Sequence, residues 1–273
     1  MLLYDMVENC NYQLRFILFL DIIGFTEIIN STVDSENIEK EQETSRLLQV
    51  FEEIKTIEAK PKIRENWEVT MFSDSIVLSF LENDDRSISK FLFDVHRLFT
   101  KLLQLKIFFR GGISHGLLYH DKNVVFGPAL ISAYRLESTA AIYPRVIIEQ
   151  HVVEKLGYKY SLDGTHDYRK SRWQSQVSFN LERDFDGLYY LDFFYVSLCF
   201  ISPKEINDFY MNLRKVIIEG LSNSNSAIRS KYGWMKVKFN TLPNKFKSAD
   251  ESDDLFHSRP DIMKLSEEFP YIE

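Results

Sequence analysis

The chain is poor in the residues that build special scaffolds: among 273 residues there are 2 cysteines, 7 prolines and 10 glycines. Cys10 and Cys199 are too few and too isolated for a disulfide framework or a thiolate metal cage, and they read as small apolar side chains in a reducing compartment. Low proline and glycine beside 45% hydrophobic residues exclude collagen-like and disordered classes and leave a globular chain with a substantial core. Positive charge is also short, 33 Lys and Arg against 40 Asp and Glu, with no basic block. Nucleic-acid backbones are held by neutralising phosphates, so the main partner is not expected to be a nucleic acid. A small anionic ligand at a local site stays compatible with this balance.

Long hydrophobic runs are missing too. Spanning a bilayer takes about 20 mostly apolar residues. The runs FILFLDIIGF (16–25) and GLYYLDFFYVSLCFI (187–201) are shorter and carry Asp21 and Asp192. The first residues, with Asp5 and Glu8, lack the basic start of a secretory signal. The expectation is a soluble, cytoplasmic protein without a membrane partner.

What is present alternates β-type runs with helical patterns. Arg15 to Asp21 predicts a buried strand, and Asn37 to Thr56 an amphipathic helix with Ile38, Leu47, Leu48, Phe51 and Ile54 on one side. Trp67 to Phe72 and Ser75 to Phe80 predict a hairpin around Ser73-Asp74. Ile88 to Leu105 is helical, and Lys106 to Tyr119 is a strand interrupted by Gly111 and Gly112. Val124 to Glu137 turns from a glycine into a helix, followed by a short strand (Val146 to Glu149) and a short helix (Gln150 to Leu156). The order predicts an α/β (α+β), ferredoxin-like βαββαβ sheet with helices on one face. Beyond it, Pro203 to Gly220 and Ser226 to Phe239 read as helices, and SADESDD (248–254) as a polar acidic tail.

Asp21 ends a run otherwise fit for a fully buried strand, and Asp74 sits at the tip of an apolar hairpin, VTMFSDSIVLSF. A buried carboxylate is costly unless paired or metal-bound. If the hairpin lies beside the first strand the two converge, and two carboxylates suit Mg²⁺, which takes a few carboxylates plus phosphate oxygens. The plainer alternative makes one a turn residue and the other a strand-end cap. Gly24 to Thr26 start a helix directly after Asp21, where free amides bind phosphate, and Thr26 offers an N-cap hydroxyl. The glycines Gly111, Gly112, Gly116 and Gly127 signal close approach of another backbone or a ligand. Arg135 offers a guanidinium for a phosphate, or a surface ion pair with Glu137 or Asp121. His115 and His120 fall on opposite faces of a strand and so do not pair as metal ligands.

In this order LDIIGFT, FSDSIVLSF, RGGISHG and GPALISAYRLE resemble the motifs of class III nucleotidyl cyclases. The run RGGISHGLLYHDKNVVFGPALISAYRLESTAAIYPRV (110–146) is similar to the bacterial pyrimidine cyclases of Pycsar antiphage defence. The resemblance implies a cyclase catalytic domain over 12–198, and the residues after it, 199–273, read as a C-terminal helical extension with an acidic tail. It implies that Asp21, Asp74 and the backbone carbonyl of Ile22 hold two Mg²⁺ or Mn²⁺ ions, that Gly24, Phe25 and Thr26 cradle a triphosphate, and that Arg135 meets the developing negative charge. In such enzymes the two faces of a site come from different subunits, so a homodimer with shared active sites follows. Thr70 and Val124 stand where purine cyclases carry the base-reading Lys or Glu and the Asp. Without that pair, and with Phe72 and Phe126 as apolar walls, a pyrimidine fits. UTP comes first and CTP is the alternative, giving cyclic UMP or cyclic CMP and pyrophosphate, with a separate effector responding to the product. Ile131 replaces the usual transition-state Asn, with Ser132 as a substitute, and Arg169, Lys170 and Arg172 are candidates for a late lysine. A purine cyclase, an inactive nucleotide-binding module and a scaffold built on the C-terminal helices stay open.

Overall fold

The computed structural model describes residues 11–57, 66–156, 158–159, 167–168, 181–250 and 260–273. Strand β1 (Gln13–Ile22) explains its own composition. Phe16, Leu18, Leu20 and Ile22 point into the larger core, while Ile17 and Phe19 join a smaller cluster on the opposite face. A strand covered on both faces has no reason to alternate apolar with polar, so the sequence reads as one continuous hydrophobic run.

Around β1 the hairpin β2 (Trp67–Phe72) and β3 (Ser75–Leu81) lies on one side and β4 (Phe109–His120) on the other. Every pairing in this block is antiparallel, β3 and β4 each against β1 and β2 against β3. Helices α1 (Phe25–Ser31) and α2 (Glu41–Lys55) join β1 to β2, and α3 (Ser87–Gln104) joins β3 to β4. This is the ferredoxin-like βαββαβ arrangement read from the sequence. The large face packs mainly on α3, whose Ile88, Phe91, Leu92, Val95, Leu98, Phe99, Leu102 and Leu103 recur at helical spacing and are all buried. In α2 only Val50 and Ile54 are buried, and Ile38 and Leu48, expected on its apolar side, are exposed.

Helices do not keep to one face. β5 (Val125–Phe126) pairs with the end of β4 and leads into α4 (Pro128–Arg135), which continues as a π-helical turn, Leu136–Ala140. Ala129 and Ala133 of α4 join Ile17, Val77 and Leu118 on the small face. The pair Gly111-Gly112 makes this possible. A Cβ on Gly112 would stand 2.3 Å from the Ala133 carbonyl oxygen, and one on Gly111 2.5 Å from that of Phe19. The expected close approach is therefore real, and its partners are α4 and β1.

The sheet then extends through β6 (Val146–Ile148), parallel to β4, followed by α5 (Gln150–Lys155). A separate two-stranded ribbon, β7 (Tyr158–Lys159) with β8 (Asp167–Tyr168), stands apart from the sheet. β9 (Leu181–Arg183) and β10 (Tyr189–Leu191) complete the sheet, β10 lying antiparallel to β6. A short helix α6 (Phe193–Val196) follows, capped by the Asp192 carboxylate, which accepts from the Tyr195 amide. The sequence after it forms α7 (Ile206–Leu221), α8 (Ser226–Asp250) and α9 (Pro260–Glu267). Helix α8 runs past Pro243, eleven residues beyond the expected end at Phe239. The polar tail is followed by ordered chain: Ile262, Leu265, Phe269 and Ile272 are buried in the main core together with Trp234, Phe239 and Phe246 of α8. Buried ion pairs fasten α8 to the sheet. Arg145 binds Asp184 and Asp186, and Asp184 also accepts from Trp234 Nε1 at 2.8 Å and pairs with Lys238 at 2.8 Å. Cys199 is exposed at the end of the short 3₁₀ turn after α6.

Candidate active site

The end of β1 places its carboxylate where three strands meet. In register, Asp21 lies opposite Ser75 of β3 and opposite Arg110 of β4, and Ser75 lies opposite Phe72 of β2. The residue after it, Ile22, donates its backbone N–H to the Asp74 carbonyl at 3.1 Å. Asp21 and Asp74 are thus brought together as the sequence predicted, with the hairpin tip held against the end of β1. Ser73 takes a left-handed conformation (φ 57°) at that tip, which lets the chain reverse in two residues.

Sequence reasoning missed the cation and the third carboxylate in this cluster. Arg110 Nε donates to Asp21 Oδ2 at 3.0 Å, and its Nη2 stands 2.8 Å from Glu137 Oε1. That second contact is a charge pairing without hydrogen-bond alignment, since Glu137 Oε1 is buried and has no hydrogen-bond partner among the described residues. Burial pushes the Glu137 carboxyl above its usual range; the charges of Asp21 and Asp74 push the same way and Arg110 opposes them. The signal was available: Arg110 heads RGGISHG on an apolar strand, and the antiparallel pairing of β1 with β4 sets it opposite Asp21.

Arg135 goes elsewhere. It is exposed at the end of α4, forms neither of the ion pairs considered for it, and lies on the exposed side of the helix whereas Glu137, two residues on, is buried. It shares an exposed helix surface with Ile131 and Tyr134, 53% and 52% accessible. Gly24 is the N-cap of α1, in a left-handed conformation (φ 74°, ψ 24°), and no side chain caps the helix. Thr26 is therefore inside the first turn, not the capping hydroxyl expected. Phe25 packs edge-on against Phe51, its ring centroid 6.3 Å away, which fixes the direction in which α1 leaves β1.

On the same sheet face, one pleat along from the row of Phe72, Ser75 and Asp21, comes the row Thr70, Val77, Phe19. The far end of β4 curls across this face, so that Leu118 packs with Ile17 and Val77 and His120 Nε2 reaches Thr70 Oγ1 at 3.0 Å. Phe72, Val124 and Phe126 are 81%, 48% and 43% exposed, forming open walls and not a closed pocket. Phe126 stacks on Tyr119 at 5.0 Å and meets Tyr12 at 5.8 Å. Arg169, Lys170 and Arg172 lie outside the described residues.

For a divalent ion the donor set is oxygen only, two carboxylates and neighbouring backbone carbonyls, which suits Mg²⁺ or Mn²⁺ and not zinc. Among the described residues no group of three or more His, Cys, Asp or Glu side chains is placed to hold an ion. Two carboxylates complete a coordination shell only when phosphate oxygens supply the rest.

No protein-family model and no curated protein sequence matches the chain. Among solved structures it is similar to the adenylyl cyclase CyaB from P. aeruginosa, with a TM-score of 0.43 and 16% identity over 59% of this chain and 96% of that one. It is similar also to the monomeric guanylyl cyclase domain of the RhoGC fusion protein from the aquatic fungus Blastocladiella emersonii, with a TM-score of 0.44 and 15% identity over 67% and 96% of the two chains. A bacterial light-regulated adenylyl cyclase gives 0.38 and 14%, over 63% and 58%. Among the described residues no helix is long and apolar enough to cross a membrane.

Proposed function

We propose that the chain is a Mg²⁺- or Mn²⁺-dependent nucleotidyl cyclase that converts a pyrimidine nucleoside triphosphate, UTP before CTP, into its 3′,5′-cyclic monophosphate and pyrophosphate. The observation that carries this reading is the meeting of Asp21 and Asp74 at the end of β1, through the Ile22 to Asp74 backbone bond, beside a helix start with accessible backbone. Divalent ions bound there would lower the pKa of the ribose hydroxyl and neutralise the departing pyrophosphate. The chain's own residues supply the rest. Asp21 and Asp74 would hold the ions with the Ile22 carbonyl. The amides from Gly24 to Thr26 would face the triphosphate, and Gly24 keeps the approach open by having no side chain. Arg110 balances Asp21 and Glu137, so the carboxylate cluster stays assembled before substrate arrives.

Arg135 cannot serve the carboxylates of its own chain from the far side of α4. Its exposure beside Ile131 and Tyr134 supports a homodimer in which it reaches the partner's site, on charge developing at the transferred phosphorus. Thr70 and Val124 carry neither the amine nor the carboxylate that would read a purine edge, which supports a pyrimidine. The likeness of residues 110–146 to Pycsar enzymes supports a role in antiphage signalling, with the cyclic nucleotide acting on a separate effector.

Asp21→Ala and Asp74→Ala each test the metal assignment. The expected result is loss of cyclic product to background with the unfolding midpoint little changed, since Asp21 loses a partly exposed ion pair worth only about 0–1 kcal/mol and Asp74 is a turn residue between β2 and β3. Wild-type turnover in either variant would remove the assignment.

A further inference from the structure

Behind Thr70 lies a chain of buried polar groups that the metal and phosphate sites do not use. Arg15, Ser79 and His120 are 3%, 0% and 7% exposed. Arg15 Nε donates to Ser79 Oγ at 2.8 Å, Ser79 Oγ lies 2.7 Å from His120 Nδ1, and His120 Nε2 lies 3.0 Å from Thr70 Oγ1. The direction of every bond follows from the first. A guanidinium only donates, so Ser79 accepts from Arg15 and has one hydrogen of its own to place. Among the described residues its one remaining partner is His120 Nδ1, which therefore accepts. The opposite tautomer would strand the Ser79 hydrogen in the interior at a cost of about 1–3 kcal/mol.

A neutral imidazole carries one proton, so Nε2 holds it and donates to Thr70. Burial, reinforced by the charge of Arg15 and opposed by Asp121, lowers His120 to about 4, so the ring is neutral near pH 7. Glu68, opposite Ser79 on β2, offsets the Arg15 charge. Thr70, half buried, thus accepts from inside and keeps a hydroxyl hydrogen that no described residue takes. That hydrogen lies on the face shared with Asp21, one pleat row along and two strands across, roughly 12 Å from that residue.

We propose that Arg15, Ser79 and His120 form a positioning relay that fixes Thr70 as a hydrogen-bond donor toward the base, so that the site selects uracil, which presents a carbonyl where cytosine presents an amino group. The inference rests on the nucleotide reading above. Against cytosine the Thr70 hydrogen loses its acceptor, and although the amino group can use the second Thr70 lone pair, one donor is then left without a partner in the site.

The test has two arms. Nitrogen NMR of the wild-type imidazoles should show His120 protonated at Nε2 and bare at Nδ1; a proton on Nδ1 overturns the relay whatever the ligand. Binding is then measured in Mg²⁺ with 3′-deoxy-UTP and 3′-deoxy-CTP, which lack the attacking hydroxyl and cannot turn over. The wild type should favour the uracil nucleotide by about ten-fold or more, equivalent to about 1.4 kcal/mol. Thr70→Ser should keep that preference, and Thr70→Val and His120→Phe should abolish it while the triphosphate still binds. Binding without discrimination in the wild type, or an unchanged ratio in Thr70→Val, overturns the relay alone. No binding of either nucleotide overturns the nucleotide reading and the relay with it.

Discussion

At the scale of single residues, the partly and fully buried titratable groups carry the argument. Asp21 stood out in the sequence because it interrupts an apolar run, and the structure gives it a metal-compatible neighbour, Asp74, and a cation, Arg110. The cation was harder to see. Reading it needed the strand pairing of β1 with β4, which depends on contacts far apart in sequence. His96 is the contrasting case. Its ring is buried in α3 with neither nitrogen hydrogen-bonded among the described residues, and burial lowers its pKa to about 3. An unfolded histidine binds a proton at about pH 6.5 that this one cannot, so stability is full above that pH and falls as the pH drops toward 3. His96→Leu should raise stability at neutral pH by about 1–3 kcal/mol by removing an unpaired polar group, and the gain should widen in acid. Chemical denaturation at pH 7 and pH 5 checks this; a smaller gain at pH 5 than at pH 7 would contradict it.

At the scale of elements, the site depends on how closely α4 sits on β4. The sequence announced a close approach through Gly111 and Gly112, and both glycines meet backbone atoms at distances no Cβ tolerates. What the sequence could not announce was the second face. Helix α4 is short and its buried residues are two alanines, Ala129 and Ala133, so its hydrophobic stripe is too weak to show which side of the sheet it covers. Gly112→Ala should push α4 and the π turn away from β4, displacing Glu137 from Arg110. The expected outcome is a folded protein that loses about 2 kcal/mol or more, in line with overpacking in a tight interior, and loses cyclase activity with it. Unchanged stability and activity would mean that α4 moves freely on the sheet. The π turn at Leu136–Ala140 belongs to the same junction, as such turns often do near functional groups.

At the scale of the whole molecule, two arrangements were legible to different degrees. The βαββαβ block was readable because its strands and helices carry strong periodic signals. The C-terminal helices were readable as helices but not as core. Trp234, Phe239 and Phe246 belong to the same buried cluster as β1 and α3, and ion pairs of Arg145, Asp184 and Lys238 hold them there. Periodicity marks an apolar face without naming what covers it. Removing residues 199–273 should therefore yield insoluble or molten protein, whereas a soluble, cooperative 12–198 fragment would show that the extension is separable. The proposed sharing of a site between two subunits makes a second prediction at this scale. Asp21→Ala and Arg135→Ala, each inactive alone, should regain part of the wild-type rate when mixed under subunit exchange, because one site in each heterodimer is then intact. No recovery in demonstrated heterodimers would put Arg135 outside the site.

The central claim is the reaction itself, and it is tested most directly by incubating purified protein with ATP, GTP, CTP and UTP separately, in Mg²⁺ and in Mn²⁺, and identifying products by mass spectrometry. Cyclic UMP with pyrophosphate, lost in Asp21→Ala, is the predicted result, with cyclic CMP formed more slowly. A cyclic purine as the main product would contradict the reading of Thr70 and Val124, and no cyclic product from any of the four, in protein that binds the triphosphates, would contradict the cyclase assignment.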